Sequence, residues 1–115
     1  MQQEVFLGLK KIPFFSKLSD EVVNSLSGKA KSVKFPKNAT IISEGDETNS
    51  LYIILTGKIR VYTSYEEGKE VTLLIQGPGS YFGELALLTD EPRSASVMTL
   101  EPTICGMISK MDFLH

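Results

Sequence analysis

Hydrophobic positions follow two rhythms along this chain, and the change falls near Lys29. Before it, Leu7, Ile12, Phe14, Phe15 and Leu18 recur at helical spacings, interrupted by Pro13, which cannot sit inside a helix. Ser19 suits an N-cap, because its hydroxyl satisfies an amide that the first helical turn leaves unpartnered. Asp20 and Glu21 follow, where carboxylates favour the positive end of a helix. Val22, Val23 and Leu26 supply the apolar face, and Gly28 supplies the stop.

After Lys29 the period shortens towards two. "AKSVKF", "ATII", "LYIILTGKIRVYTSY" and "KEVTLLIQ" are rich in Val, Ile, Tyr and Thr, which suit a pleated, half-buried surface. Turn chemistry divides them at Pro36-Lys37-Asn38, Gly45-Asp46, Thr56-Gly57-Lys58 and Glu66-Glu67-Gly68-Lys69. Gly77, Gly79 and Gly83 crowd the next turn, and "SASVMTL" and "TICGMIS" follow as further strands. Many short strands at regular spacing predict a barrel, sandwich or roll. Near the end, Ser109 and Asp112 form a capping-box pattern with Met111, Phe113 and Leu114 behind it. So short a helix is marginal alone. The expectation is that residues 1–115 are a single domain, with a longer helix continuing in the natural protein.

Composition narrows the chemistry. The chain has 115 residues, 42% of them hydrophobic, enough for one domain with its own core. A net charge of −2 offers no general attraction to nucleic acid or anionic membrane, so any anion site must be local. One cysteine, Cys105, and one histidine, His115, exclude an intramolecular disulfide, a cysteine-ligated cluster, and a metal barrel built on clustered histidines. Cys105 lies in an apolar strand pattern, so it is expected to be a small buried hydrophobe. No nucleophile–base pair stands out, and no enzyme, metal or cofactor is expected. No apolar run reaches spanning length and no signal peptide opens the chain, which together with the lone cysteine predicts a cytoplasmic setting without membrane contact.

The informative stretch is "FGELALLTDEPRSASV", residues 82–97. Gly83 permits a sharp turn and close approach of a ligand to the backbone. "GELALL", Gly83 to Leu88, then predicts one or two helical turns whose first amides point outward as an anion site. Small Ala86 keeps that end uncrowded, and Leu85 and Leu88, three apart, are expected to seat the turn on the core. Arg93 presents a permanently charged fork that fits phosphate oxygens. Ser94 adds a hydroxyl and Ala95 leaves space. Glu84 repels a phosphate, yet fits a neighbouring sugar hydroxyl if Arg93 balances its charge. A singly charged phosphate with a free ribose hydroxyl meets both demands. A surface ion pair between Glu84 and Arg93 is the plainer alternative.

Taken together, "EGD", "LYIILTGKIRVY", "GPGSYFGE" and "FGELALL…PRSASV" resemble the cyclic nucleotide-binding domain over about Phe14 to Phe113. That family includes Crp/Fnr-type bacterial regulators, regulatory subunits of cyclic-AMP-dependent protein kinase, and cyclic-nucleotide-gated channels. The resemblance implies a mainly β fold with flanking helices: an eight-stranded antiparallel β-roll of jelly-roll type with a short phosphate-binding helix. It implies that Glu84 binds the ribose 2′-hydroxyl and that Arg93 pairs with the cyclic phosphate. Backbone groups of Gly83, Leu85 and Ala86, with Ser94 and Ala95, fall around the same phosphate. By register, Val61 and Leu73 are expected to line the base pocket, with Val71 a further candidate. Gly45 and Gly57 are expected to be structural. The implied ligand is cyclic AMP, with cyclic GMP the alternative. The implied whole is the sensor of a Crp/Fnr-type transcription regulator, dimeric through a missing C-terminal helix and reaching DNA only through a missing domain. A kinase or channel regulatory domain, or a related sensor of another small ligand, is the competing expectation.

Overall fold

The computed structural model describes residues 1–114. Three helices come first: α1 (Gln2–Lys10), α2 (Pro13–Ser16) and α3 (Asp20–Ser27). Pro13 opens α2 at the one position where its missing N–H costs nothing. Ser19 caps α3 as expected, its Oγ accepting from the Val22 N–H at 3.2 Å. Gly28 ends the helix while keeping right-handed backbone angles.

Eight strands follow: β1 (Lys31–Phe35), β2 (Thr40–Ile42), β3 (Ser50–Thr56), β4 (Ile59–Glu66), β5 (Lys69–Gln76), β6 (Tyr81–Phe82), β7 (Ser96–Thr99) and β8 (Thr103–Ser109). A single-turn helix, α4 (Leu85–Leu88), interrupts them, and α5 (Lys110–Leu114) follows β8. The strands form two four-stranded antiparallel sheets, β1-β8-β3-β6 and β2-β7-β4-β5. This is the eight-stranded β-roll with flanking helices.

The apolar run in β3 has a direct cause: this strand is buried on both faces. Leu51 and Ile53 face the helices, where they join Val5, Leu9, Ile12, Phe15, Val23 and Ile108. Tyr52 and Ile54 face the other sheet, with Ile42, Ile59, Phe82, Val97 and Cys105. Cys105 is fully buried, as its setting in the sequence predicts. The helices approach closely because Gly8 and Gly106 lack side chains: a Cβ there would lie 2.6 Å from Ile53 Cγ2 or 2.7 Å from Val5 Cγ2.

Helix α5 starts with the expected cap, the Asp112 N–H donating to Ser109 Oγ at 3.1 Å. Its Phe113 ring meets Phe14 and Phe15 edge-on, at centroid distances of 6.3 and 5.6 Å. The expected continuation of this helix lies outside the described residues.

Candidate functional site

One cavity of about 410 Å³ opens between the β2-β7-β4-β5 sheet and the segment from Tyr81 to Ala95. That volume suits a mononucleotide-sized ligand. Gly83, Glu84, Leu85, Ala86, Arg93, Ser94, Ala95 and Val61 all line it. The structure therefore brings together eight of the nine residues singled out from sequence.

The turn is built around Gly83, which adopts φ +81°, a conformation that costs an L-residue energy. From there the chain enters α4 through Glu84. The N–H groups that open such a turn have no carbonyl of their own helix to meet. The Ala86 N–H donates back to Gly83 O at 3.2 Å, so it is partly engaged already. The expectation that Leu85 and Leu88 seat this turn on the core is corrected here. Ala86 and Leu87 are the buried residues of α4, whereas Leu85 is 59% exposed and Leu88 41%. The left-handed Gly83 rotates the single turn so that its middle pair, not its ends, meets the core.

Arg93 is the centre of the site. It is only 8% exposed. Its Nε donates to Thr48 Oγ1 at 3.0 Å, Nη1 to Gly83 O at 3.1 Å, and Nη2 to Ser50 O at 2.8 Å. All three acceptors are neutral. Its backbone is also held: the Arg93 N–H donates to Asp46 O at 2.7 Å and the Gly45 N–H to Arg93 O at 2.8 Å. This gives the "EGD" turn, with Gly45 at φ +89°, its structural purpose. Burial lowers the guanidinium's pKa, and the fields of Tyr52, Asp46 and Glu84 oppose that shift. Glu84 does not form an ion pair with Arg93; the salt bridges among the described residues lie elsewhere. The surface ion-pair alternative therefore fails. A guanidinium has five N–H donors, so two remain for a ligand.

The opposite wall is largely apolar, with Val61, Leu74, Ile42 and Val97 beside Gln76. Here Leu74 takes the place expected of Leu73, which is 56% exposed. Val71, 44% exposed, is also outside the wall. Val71 shares the face of Val61 and Leu74, because it pairs with Thr63, but lies further along the ladder; for Leu73 the reason is a bulge. Val61 pairs with Leu74 while the next residue, Tyr62, pairs with Thr72, leaving Leu73 as the extra residue. An extra residue inverts the alternation beyond it, so counting by twos from the β4–β5 turn selects the wrong face. Thr48 and Ser50, which position Arg93, were also missed. Polar residues at a strand entry carry no sequence signal for such a role.

No group of three His, Cys, Asp or Glu side chains among the described residues is placed to hold a metal ion. Burial pushes the Cys105 thiol up to about 12, far from a nucleophile's range. No helix among them is long and apolar enough to cross a membrane.

Comparison with known proteins agrees with this geometry. Residues 32–115 match the family described as "Cyclic nucleotide-binding domain". The chain is 33% identical over 106 residues to the cyclic AMP receptor protein of Thermus thermophilus, covering 92% of this chain and 49% of that protein. It is 37% identical over 102 residues to a cGMP-dependent protein kinase of Eimeria tenella, covering 89% of this chain and 10% of the kinase. Its fold is similar to the regulatory domain of Toxoplasma gondii PKA crystallised with cAMP, with a TM-score of 0.88 at 26% identity over 98% of this chain and 43% of that one. The chain thus spans about half or less of the length of these relatives.

Proposed function

The chain belongs to the cyclic nucleotide-binding domain family, and from that premise we propose that its cavity is the receptor site of a regulatory sensor for a cyclic nucleotide, cyclic AMP before cyclic GMP. Arg93 carries the proposal: it is a buried cation with neutral partners and unused donors, at the edge of a nucleotide-sized cavity. A buried charge is tolerated well only when it is compensated. A cyclic phosphate brings one negative charge to Arg93, while Ser94 and the Gly83–Ala86 turn line the same space. Glu84, unpaired with Arg93, accepts the ribose hydroxyl. A doubly charged phosphate fits less well, because the second charge faces Glu84. The base lies against Val61 and Leu74.

Binding makes and breaks no covalent bond. Its output is a shift between conformations of the segment that closes on the phosphate. The route outward starts at the end of α4, where Thr89 O and Asp90 Oδ1 accept from Lys110 Nζ at 3.3 and 2.6 Å. Lys110 is the first residue of α5, so movement of the turn is felt at that helix. In the full protein we assign this domain to a cytoplasmic Crp/Fnr-type transcription regulator, which dimerises and contacts DNA through parts beyond this chain. Its likeness over 92% of its length to the Thermus receptor supports that reading. The 37% identity to the Eimeria kinase favours a second one, a kinase regulatory segment.

Calorimetric titration with cyclic AMP, cyclic GMP and 5′-AMP tests the proposal. One cyclic nucleotide is expected to bind with unit stoichiometry, and 5′-AMP, with its extra charge, more weakly. Equal affinity for 5′-AMP, or no binding of any of them, refutes the site.

A further inference from the structure

Resting on the cyclic-nucleotide reading of the cavity, we propose that Gln76 reads the base: its carboxamide accepts a hydrogen bond from the six-position amine of adenine and so selects cyclic AMP.

The position follows from strand geometry. Gln76 lies two residues beyond Leu74 on β5, beyond the bulge, so both side chains lie on one face. Both line the cavity. Across the ladder, Val61 pairs with Leu74 and Ile59 with Gln76. The wall is therefore aliphatic except for one carboxamide. Its Oε1 is shut off from solvent and has no hydrogen-bond partner, the only such side-chain atom among the described residues. An orphaned buried acceptor is costly, and leucine at this place would avoid the cost.

The missing donor is found by elimination over the ligand. A cyclic phosphate has acceptors only. The ribose 2′-hydroxyl is taken by Glu84 on the other side of the cavity. Of a cyclic nucleotide's groups, only the base still has donors to give. Adenine sets an amine beside a ring-nitrogen acceptor, and a carboxamide meets that pair with Oε1 and Nε2 together. On the edge where adenine sets that amine beside N7, guanine presents two acceptors, O6 and N7, so Oε1 meets an acceptor whichever way the amide turns. As it stands Oε1 is turned away from the open cavity, since it is shut off from solvent; the terminal torsion of a glutamine is broad, so rotation about it carries the oxygen to the base and gives it the partner it lacks.

The test is a cycle between one protein atom and one ligand group. Calorimetry on this chain compares cyclic AMP, cyclic GMP and the 3′,5′-cyclic phosphate of purine riboside, which lacks the six-position amine. Wild type is expected to bind cyclic AMP about tenfold more tightly than the amine-free analogue. In Gln76→Leu, and in the unbranched Gln76→Met, that gap is expected to close. Ligand-free melting is expected to hold or rise in both variants, because the orphaned acceptor is gone. A gap that persists in both variants overturns the proposal. So does an equal loss for all three nucleotides with a lower melting temperature, which would make Gln76 a packing residue. Selective loss of cyclic GMP binding overturns it too. If wild type binds cyclic AMP tightly but shows no gap, the cavity reading stands and Gln76 alone is wrong. If wild type binds none of the three, the cavity reading itself fails and takes this inference with it.

Discussion

Replacing Gly83 with alanine tests how tightly the turn and Arg93 are locked together. The residue sits at φ +81°, and a Cβ there would lie 2.8 Å from both Arg93 Nη1 and Ser50 O. Neither atom is a free end: Nη1 donates to Gly83 O, and Ser50 O accepts from Nη2. Left-handed backbone costs an L-residue about 1–2 kcal/mol. Forcing an atom into packed surroundings adds about 1–3 kcal/mol. The sum is about 2–5 kcal/mol. Gly68 is the control, because it sits at φ +72° with nothing within 4 Å of its notional Cβ. Gly68→Ala therefore carries only the backbone term. Unfolding entropy of roughly 2.1 cal/mol/K per residue makes each kcal/mol worth about 4 °C for a domain of this length. Thermal melts without ligand should then show a fall of about 4–8 °C for Gly68→Ala and about 8–20 °C for Gly83→Ala. Only Gly83→Ala should also weaken nucleotide binding, because it displaces the guanidinium. Equal falls in the two variants would refute the claim that Gly83 is held against Arg93.

Two further outcomes follow from the same structure. Leu74→Ala should weaken cyclic nucleotide binding by several-fold while Leu73→Ala leaves it unchanged, measured by calorimetry, because only Leu74 lines the cavity; the reverse order would place the bulge wrongly. The Cys105 thiol, raised from 9.0 to about 12 by burial, should resist thiol reagents in the native state at pH 8. Its folded pKa lies above the unfolded one, so its contribution to stability is fully present below pH 9.0 and is lost between 9.0 and about 12. Rapid native labelling, or a pH–stability slope in that window unchanged by Cys105→Ala, would contradict this.

Much of this was written in local pattern. The change of period at Lys29, the cap at Ser19 and the glycine-marked turns locate the elements, because each is a short-range effect. Gly83, Glu84 and Arg93 stood out because charge and a sharp turn in one stretch need a common partner. What stayed hidden depends on tertiary contacts. The bulge at Leu73 exists only in the pairing of β4 with β5, and it moved the pocket residue by one place. Leu85 and Leu88 share a helical face on paper, yet the entry angle set by Gly83 turned that face to solvent. Thr48 and Ser50 meet Arg93 across more than forty residues of chain. Gln76 had no signal at all until its side-chain oxygen proved to lack a partner.

The most direct test of the account is the affinity of cyclic AMP for wild type, Arg93→Lys, Arg93→Ala and Val61→Ala, each first shown to be folded by circular dichroism. Arg93→Ala should lose on the order of 2–5 kcal/mol of binding, the cost of leaving a desolvated charge without its partner. Arg93→Lys should recover part of it, since charge returns without the fork. Val61→Ala should lose far less than Arg93→Ala. Equal small losses at Arg93 and Val61 would contradict the claim that this buried guanidinium is the phosphate receptor.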